Sequence, residues 1–517
     1  MIVVVLLLTL AVGCAEQGGT VALKVGDYKL TTADLSYFYM DKVIEYRQAI
    51  YDQYYSFLGS SWTAMMGFDP SKPLNAQAYD ETQTWADYFI DLSVKTARDI
   101  YVLYAAAQKA NFTMTETEKS SLEAMMESLA SYATYYGYDN LDGYLQMWYG
   151  STASEASYRK YYEVCTTAYS YMNHYNASLE LTMEDYKAYD REHFDDFSLV
   201  SFDYYSLQYK KYLGEGVKDE NGNTTWTDEE IQAAREALAA DIETLKATTI
   251  TTLEEFDSAL QALDVNKVEE GKTPVTAMVI EKASFNGLTL PADGNQWLKD
   301  QNRADGDFGV FPSYSYPVHE DSNHQHGENC GCEKTLESCV FILFKERDDQ
   351  LTSLVNIRHI LVSFSGGTTN SDGTVSYSSA EKQKAKEEAE KLYQQWKDGE
   401  MTEDSFAALA NAESDDQGGK VTNGGLYERV HPGQMVKNFD AWCFDPSRQA
   451  GDTGSVETEY GYHIMYFSSV DEMTYRDKQI DYSLRAKQTE SWFNALVEAM
   501  GYEIVNLSEM AYDLKLG

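Results

Sequence analysis

The stretch SLVNIRHILVSF, residues 353–364, reads as a short and mostly buried strand, because β-branched and aliphatic residues fill most of it. Arg358 and His359 at its centre are the exception. A lone histidine in such a strand is ordinarily a satisfied core or edge residue, so its meaning depends on the rest of the chain. SLVSFDYYSL, beginning at Ser198, repeats the strand. NGNTTWTDEEIQAAREALAADIETL is then echoed by DGTVSYSSAEKQKAKEEAEKLYQQW, with Gly222 matching Gly373, Trp226 matching Tyr377 and Leu245 matching Trp396. TLEEFDSAL is echoed by TEDSFAALA, and CVFILF by YHIMYF. Strand, long helix, short helix and closing strand recur in one order, the mark of a duplicated α+β domain. Two differences between the copies matter. Tyr204 stands where the second copy has His359, and Val340 or a neighbour stands where it has His463. Histidines needed for stability would be kept in both copies, so their restriction to one points to function.

Outside the duplication the pattern is helical. Val21 to Leu30 reads as a hairpin turning at Gly26-Asp27, and Thr31 or Thr32 offers the N-cap of a long helix. Leu35, Tyr39, Val43, Tyr46, Ile50 and Tyr54 form one face of it. A second helix is predicted from about Trp85 to Ala110, and further helices to about Phe197. TMTETEKSSLEAMMESL and LTMEDYKAYDREHF both open with the threonine-then-acid pattern of a capped helix. This region is rich in Tyr, Met and Phe, which supply a core and, on a sharper reading, a groove for extended hydrophobic chains. A helix returns from Tyr475 with Ile480, Leu484, Trp492, Leu496 and Met500 as its apolar positions, followed by a strand in YEIVNL, and this tail is expected to pack on the N-terminal helices.

The bulk numbers bound the function. A chain of 517 residues is too long for one core. Its 41 basic and 83 acidic residues give a net charge of -42, a field that repels phosphate backbones and disfavours a nucleic-acid partner. Six cysteines do not make a disulfide scaffold at this length; Cys165, Cys339 and Cys443 are expected to be buried thiols. In HEDSNHQHGENCGCE, His319, His324, His326, Cys330 and Cys332 crowd one expected surface loop. Such ligands suit Zn²⁺ or a copper ion, the alternatives being a strained Cys-x-Cys disulfide or a solvated loop.

Two resemblances carry the functional expectation. MIVVVLLLTLAVGCAEQGG is too short in its apolar run, Ile2 to Gly13, to span a bilayer. It resembles a bacterial lipoprotein signal, whose lipobox ends in Gly-Cys and whose cysteine, here Cys14, takes the lipid. Leu10 sits one position further from the cysteine than the family prefers, and no Lys or Arg precedes the apolar run; an ordinary cleaved signal is the alternative. Either implies export. Further along, RHILV, ESDDQGG, NGGLYE, PGQMVKNFDAWCF and GDTGSVETEYGYHIMYF follow one another within residues 353–467. This order closely resembles a parvulin-type peptidyl-prolyl isomerase, and the wider organisation is similar to the PrsA and SurA foldases.

The resemblance implies an α+β multidomain protein. Its parts are a lipoprotein-type signal over 1–14, a helical chaperone domain over 21–197, a degenerate parvulin-like domain with the His/Cys loop over 198–347, a parvulin domain over 353–470 and a returning helix and strand over 475–517. It implies catalytic roles for His359, Asp416 and His463, a proline pocket of Met435 and Phe439 with Phe444 behind it, and Tyr427 at a rim position where relatives often carry Leu. PGQMVKNFDAWCF is expected on a helix, with Met435 and Phe439 four apart on one face. No cofactor is required for isomerisation. The implied partners are unfolded exported polypeptides, with a lipid anchor holding the protein at the outer face of a bacterial cell membrane. A holdase that uses parvulin folds only to bind clients is the alternative.

Overall fold

The computed structural model describes residues 20–220, 222–268, 271–316, 334–416, 423–507 and 510. The chain forms two compact units, one of residues 1–180 with 483–517 and the other of residues 181–482.

In the first unit the strands Val21–Val25 and Tyr28–Thr31 pair as a hairpin around Gly26, whose φ of 53° lies in the region that favours glycine. Thr31 caps the helix Thr32–Leu58, its side chain exchanging hydrogen bonds with Asp34 in a capping box. Thr84 and Asp87 do the same for Trp85–Lys109, and Thr115 and Glu118 for Glu116–Tyr135. Leu35, Tyr39 and Val43 are buried, while Tyr46, Ile50 and Tyr54 pack on the same core at its margin. The returning tail belongs to this unit from Ser483 onward. The strand Tyr502–Ile504 adds antiparallel to Val21–Val25, and Trp492 stacks on Tyr175 at 3.9 Å. Arg485 donates to the carbonyls of Asn176 and Leu179. Between the helices Thr32–Leu58, Glu116–Tyr135, Leu141–Tyr149 and Glu155–Ser178 lies a cavity of about 570 Å³ whose lining includes Ile44, Tyr51, Trp62, Leu145, Trp148 and Tyr158.

The second unit contains two four-stranded antiparallel sheets of one topology. The first has the order Met278–Ser284, Leu199–Gln208, Thr335–Asp348, Phe308–Ser315. The second has Leu426–Val430, Ser353–Ser363, Gly461–Thr474, Thr453–Glu457. Helices Asp228–Ala247 and Leu253–Ala262 in the first copy answer to Ser379–Lys397 and Glu403–Glu413 in the second. The register makes the residue matches definite. Tyr204 faces Ile342 across the ladder as His359 faces Met465, which sets Val340 at the position of His463.

The structure also reveals a repeated device that sequence comparison missed. Arg303 lies 4.1 Å over the Trp297 ring and donates from Nε to the Trp297 carbonyl at 3.1 Å. Arg448 lies 4.0 Å over Trp442 and makes the same bond at the same length. The signal was present as a tryptophan followed six residues later by an arginine in both copies.

One expectation needs correcting. The helix in PGQMVKNFDAWCF is only Lys437–Cys443, so Met435 precedes it and does not share its face. Gly433, at φ 79°, donates its N–H to Asp440, and His431 accepts from Gln434, so the chain turns before it can coil.

Candidate active site

Side chains alternate across a strand, so Arg358 and His359 point to opposite faces of the second sheet. Arg358 faces the helix Glu403–Glu413, where Nε donates to Glu403 at 2.8 Å and Nη1 to the carbonyls of Asn423 and Gly424. It anchors the loop that leads into Leu426–Val430. Within that loop Gly425, at φ 67°, accepts from the His359 N–H through its carbonyl, and a Cβ there would collide with the His359 carbonyl oxygen. The arginine and the glycine thus seat the loop against the histidine's own backbone.

His359 lies on the face that packs against the helix Lys437–Cys443 and is 3% exposed. Its Nε2 is 3.0 Å from Asp416 Oδ2, and its Nδ1 is 3.1 Å from Nδ1 of His463. The two histidines come from the central, directly paired strands. Tyr427 donates its hydroxyl to the same Asp416 oxygen at 2.7 Å. At the far end Thr458 Oγ1 is 2.8 Å from His463 Nε2. Thr458 was not singled out from sequence; it sits in the turn before Gly461, where a threonine reads only as a turn residue. The Phe439 ring meets His359 edge-on at 5.3 Å and His463 at 5.2 Å. Phe439 is buried with Met465, Ile357 and Cys443, and Met435, Phe444 and Tyr427 pack at the margin of that cluster. A row of polar groups therefore runs beside an apolar floor.

Burial, reinforced by the neighbouring His359, holds the His463 pKa down to about 3. Burial first and then the Asp416 carboxylate push Tyr427 up to about 12. Cys165, Cys339 and Cys443 are free thiols pushed up to about 12 by burial, which leaves them unreactive. Cys14 and the cluster His319, His324, His326, Cys330 and Cys332 lie outside the described residues. Among the described residues, no group of three or more His, Cys, Asp or Glu is placed to hold a metal ion, and no helix is long and apolar enough to cross a membrane.

The His463 environment makes stability depend on pH. Unfolded, this histidine takes up a proton near 6.5, whereas folded it stays neutral down to about 3. The unfolded chain binds more protons between those values, so the contribution is complete above about pH 6.5 and declines as pH falls toward 3. At pH 4.5 the decline from this one group should be on the order of 2–3 kcal/mol. Urea midpoints measured from pH 7.5 to 4.5 should therefore fall less steeply in a His463→Asn variant than in the wild type. Parallel slopes would refute the assignment.

With this geometry in place, comparison with known proteins gives a class. Residues 359–469 match the family model of the PPIC-type PPIase, or rotamase, domain, and the chain contains such a parvulin-type domain. Among solved structures the chain is similar to PrsA of Bacillus anthracis, at 19% identity over 31% of this chain and 64% of that one, with a TM-score of 0.19. It is similar also to PrsA of Bacillus cereus, at 25% identity over 32% and 56% with a TM-score of 0.18. A third likeness is to one of two SurA-like chaperones of Campylobacter jejuni, at 21% identity over 29% and 51% with a TM-score of 0.17. The chain thus spans less than two thirds of the length of these three proteins. No curated protein matches the sequence.

Proposed function

We propose that this protein is a peptidyl-prolyl cis/trans isomerase and foldase for exported polypeptides. One observation carries the reading: the Asp416–His359–His463–Thr458 row lies against the apolar floor around Phe439. Rotation about a prolyl peptide bond faces a barrier of roughly 18–20 kcal/mol because it breaks amide resonance. The twisted amide is less polar than the planar one, so a dry apolar floor favours the twisted form relative to the ground state. Met435 and Phe439 supply that floor, Phe444 backs it, and Tyr427 forms the rim. The histidines fix one another and Asp416 through hydrogen bonds. The reaction has no proton to remove, so none of them needs to act as a base. Turnover of a prolyl tetrapeptide by the intact chain is the test, and a rate equal to the uncatalysed one would leave only the holding role.

The first copy is read as degenerate. Its equivalents of the histidines are Tyr204 and Val340, and Ile280 stands at the ladder position of Tyr427. Gly294 falls in the helix that answers to Lys437–Cys443, three residues before Trp297 as Phe439 is three before Trp442. A Cβ at Gly294 would lie 3.5 Å from the Phe311 ring, so that ring takes up space beside the missing phenylalanine. The holding role has an observation of its own, the aromatic cavity of the first unit, which is of a size to admit an apolar side chain.

Export and anchoring rest on the apolar run before Cys14. A Cys14→Ser variant should be lost from the membrane fraction into the medium, or stay unprocessed, since a lipid on that cysteine is the proposed attachment. Undiminished membrane retention, followed by fractionation and immunoblotting, would refute it.

A further inference from the structure

We propose that Tyr427 is a positioning residue of the histidine row, whose hydroxyl fixes the direction in which every hydrogen bond of that row points; this rests on the isomerase reading of the same site. The geometry determines the direction once one end is set. An ionised carboxylate only accepts hydrogen bonds. With Asp416 ionised, Oδ2 accepts from Tyr427 O–H at 2.7 Å and from His359 Nε2–H at 3.0 Å. A neutral His359 then has a bare Nδ1, which must accept from Nδ1–H of His463 across 3.1 Å. His463, neutral in the fold, is left with a bare Nε2, which accepts from the Thr458 hydroxyl at 2.8 Å. Thr458 Oγ1 in turn accepts from the Tyr460 N–H at 3.2 Å. Every donor and acceptor on this path is used.

The same atoms allow a second arrangement. A protonated Asp416 donates to His359 Nε2, His359 Nδ1–H donates to His463, His463 Nε2–H donates to Thr458, and the Thr458 hydroxyl turns to the Gly461 carbonyl at 3.5 Å. This arrangement holds one proton more than the first: Asp416 takes the His359 Nε2 proton, His359 Nδ1 takes the His463 Nδ1 proton, and His463 Nε2 gains one from solvent. The two arrangements differ at the carboxyl end, where a second donor on Oδ2 favours the ionised form. Tyr427 is that donor. It is placed by its pairing with Ile357, two residues before His359 on the same face of the sheet. The first copy, which lacks both histidines, has Ile280 there. The tyrosine and the row it orients occur together.

Tyr427→Phe keeps the ring against His359, 5.0 Å away, and removes only the hydroxyl. The side-chain ¹⁵N resonances of His359 and His463 in the full chain report which nitrogens carry hydrogen. The expected result is that, as pH is lowered, both histidines change at a higher pH in the Phe variant than in the wild type, with kcat there reduced about three- to tenfold and KM unchanged. Histidine nitrogens identical to wild type overturn the proposal, as does a shift of the nitrogens with turnover unaltered. If the wild type shows no turnover, the isomerase reading fails by itself, and the nitrogens alone then decide whether Tyr427 orients the row.

Discussion

Replacing His359 and Asp416 together by alanine should lower prolyl isomerase turnover by at least about an order of magnitude, which corresponds to about 1.4 kcal/mol of barrier. The reasoning is local. His359 is the central member of the row, in contact with Asp416 on one side and His463 on the other, and its ring also meets Phe439 and Tyr427. Without it the floor and the polar row lose the side chain that joins them, and water gains entry to a site whose action depends on being dry. His463 would keep Thr458 but lose its partner at Nδ1, a cost of about 1–3 kcal/mol for a buried group. That is small enough to leave the domain folded, because the opposite face of the sheet keeps its core of Ile360, Leu392, Trp396, Phe406 and Ile464. Circular dichroism should be near wild type while tetrapeptide turnover collapses. The first copy is still present in this variant, so the residual rate also measures its contribution, expected to be nil. Turnover near the wild-type rate would locate the chemistry elsewhere.

Arg476→Ala should destabilise the second unit by roughly 3–5 kcal/mol, the usual consequence of removing one partner from a buried ionic cluster. Arg476 is 2% exposed. Its Nε and Nη2 meet Asp190 at 2.7 and 2.6 Å, and Nη1 reaches the Ser198 hydroxyl and the Asp349 carbonyl at 3.1 and 3.3 Å. Nη2 also donates to the Phe194 carbonyl, and the guanidinium lies 4.3 Å over the Phe194 ring. From the helix Tyr475–Met500, one side chain thus satisfies groups from the helix Met183–Glu192, the turn before Leu199–Gln208 and the connection between the two sheets. Lysine cannot replace it, since an ammonium lacks the planar fork these acceptors require. Chemical denaturation with hydrogen exchange would show the midpoint fall and protection lost where Asp190, Ser198 and Asp349 lie. A midpoint unchanged in Arg476→Ala would mean that the cluster is not what holds these segments.

How much of this was visible in the sequence depended on whether the controlling interaction was local. Capping boxes at Thr31, Thr115 and Thr182 were legible because both partners lie within three residues. The duplication was legible because hydrophobic spacing and turn glycines survive where identity does not, and matching Tyr204 with His359 already implied the ladder. The row beyond the motif residues was not. Thr458 matters only because an antiparallel turn returns its hydroxyl to His463, and the Tyr427 hydroxyl only because strand pairing with Ile357 brings it within reach of Asp416. Met435 was misplaced for the opposite reason: its spacing from Phe439 fits a helix turn, and the turn at Gly433 overrides spacing. Arg476 gives no sequence sign of partners almost 300 positions away.

The paired tryptophan–arginine stack has a practical consequence. Since Trp297 and Arg303 keep in one copy what Trp442 and Arg448 keep in the other, while the histidines are kept in only one, the molecule carries its own blank. On the proposed reading, the first copy is a scaffold with Tyr204, Ile280, Gly294 and Val340 where the second has His359, Tyr427, Phe439 and His463. Those four positions form a natural graft list for transplanting the site, and the Phe311 ring beside Gly294 marks the space that a transplanted phenylalanine would first have to clear.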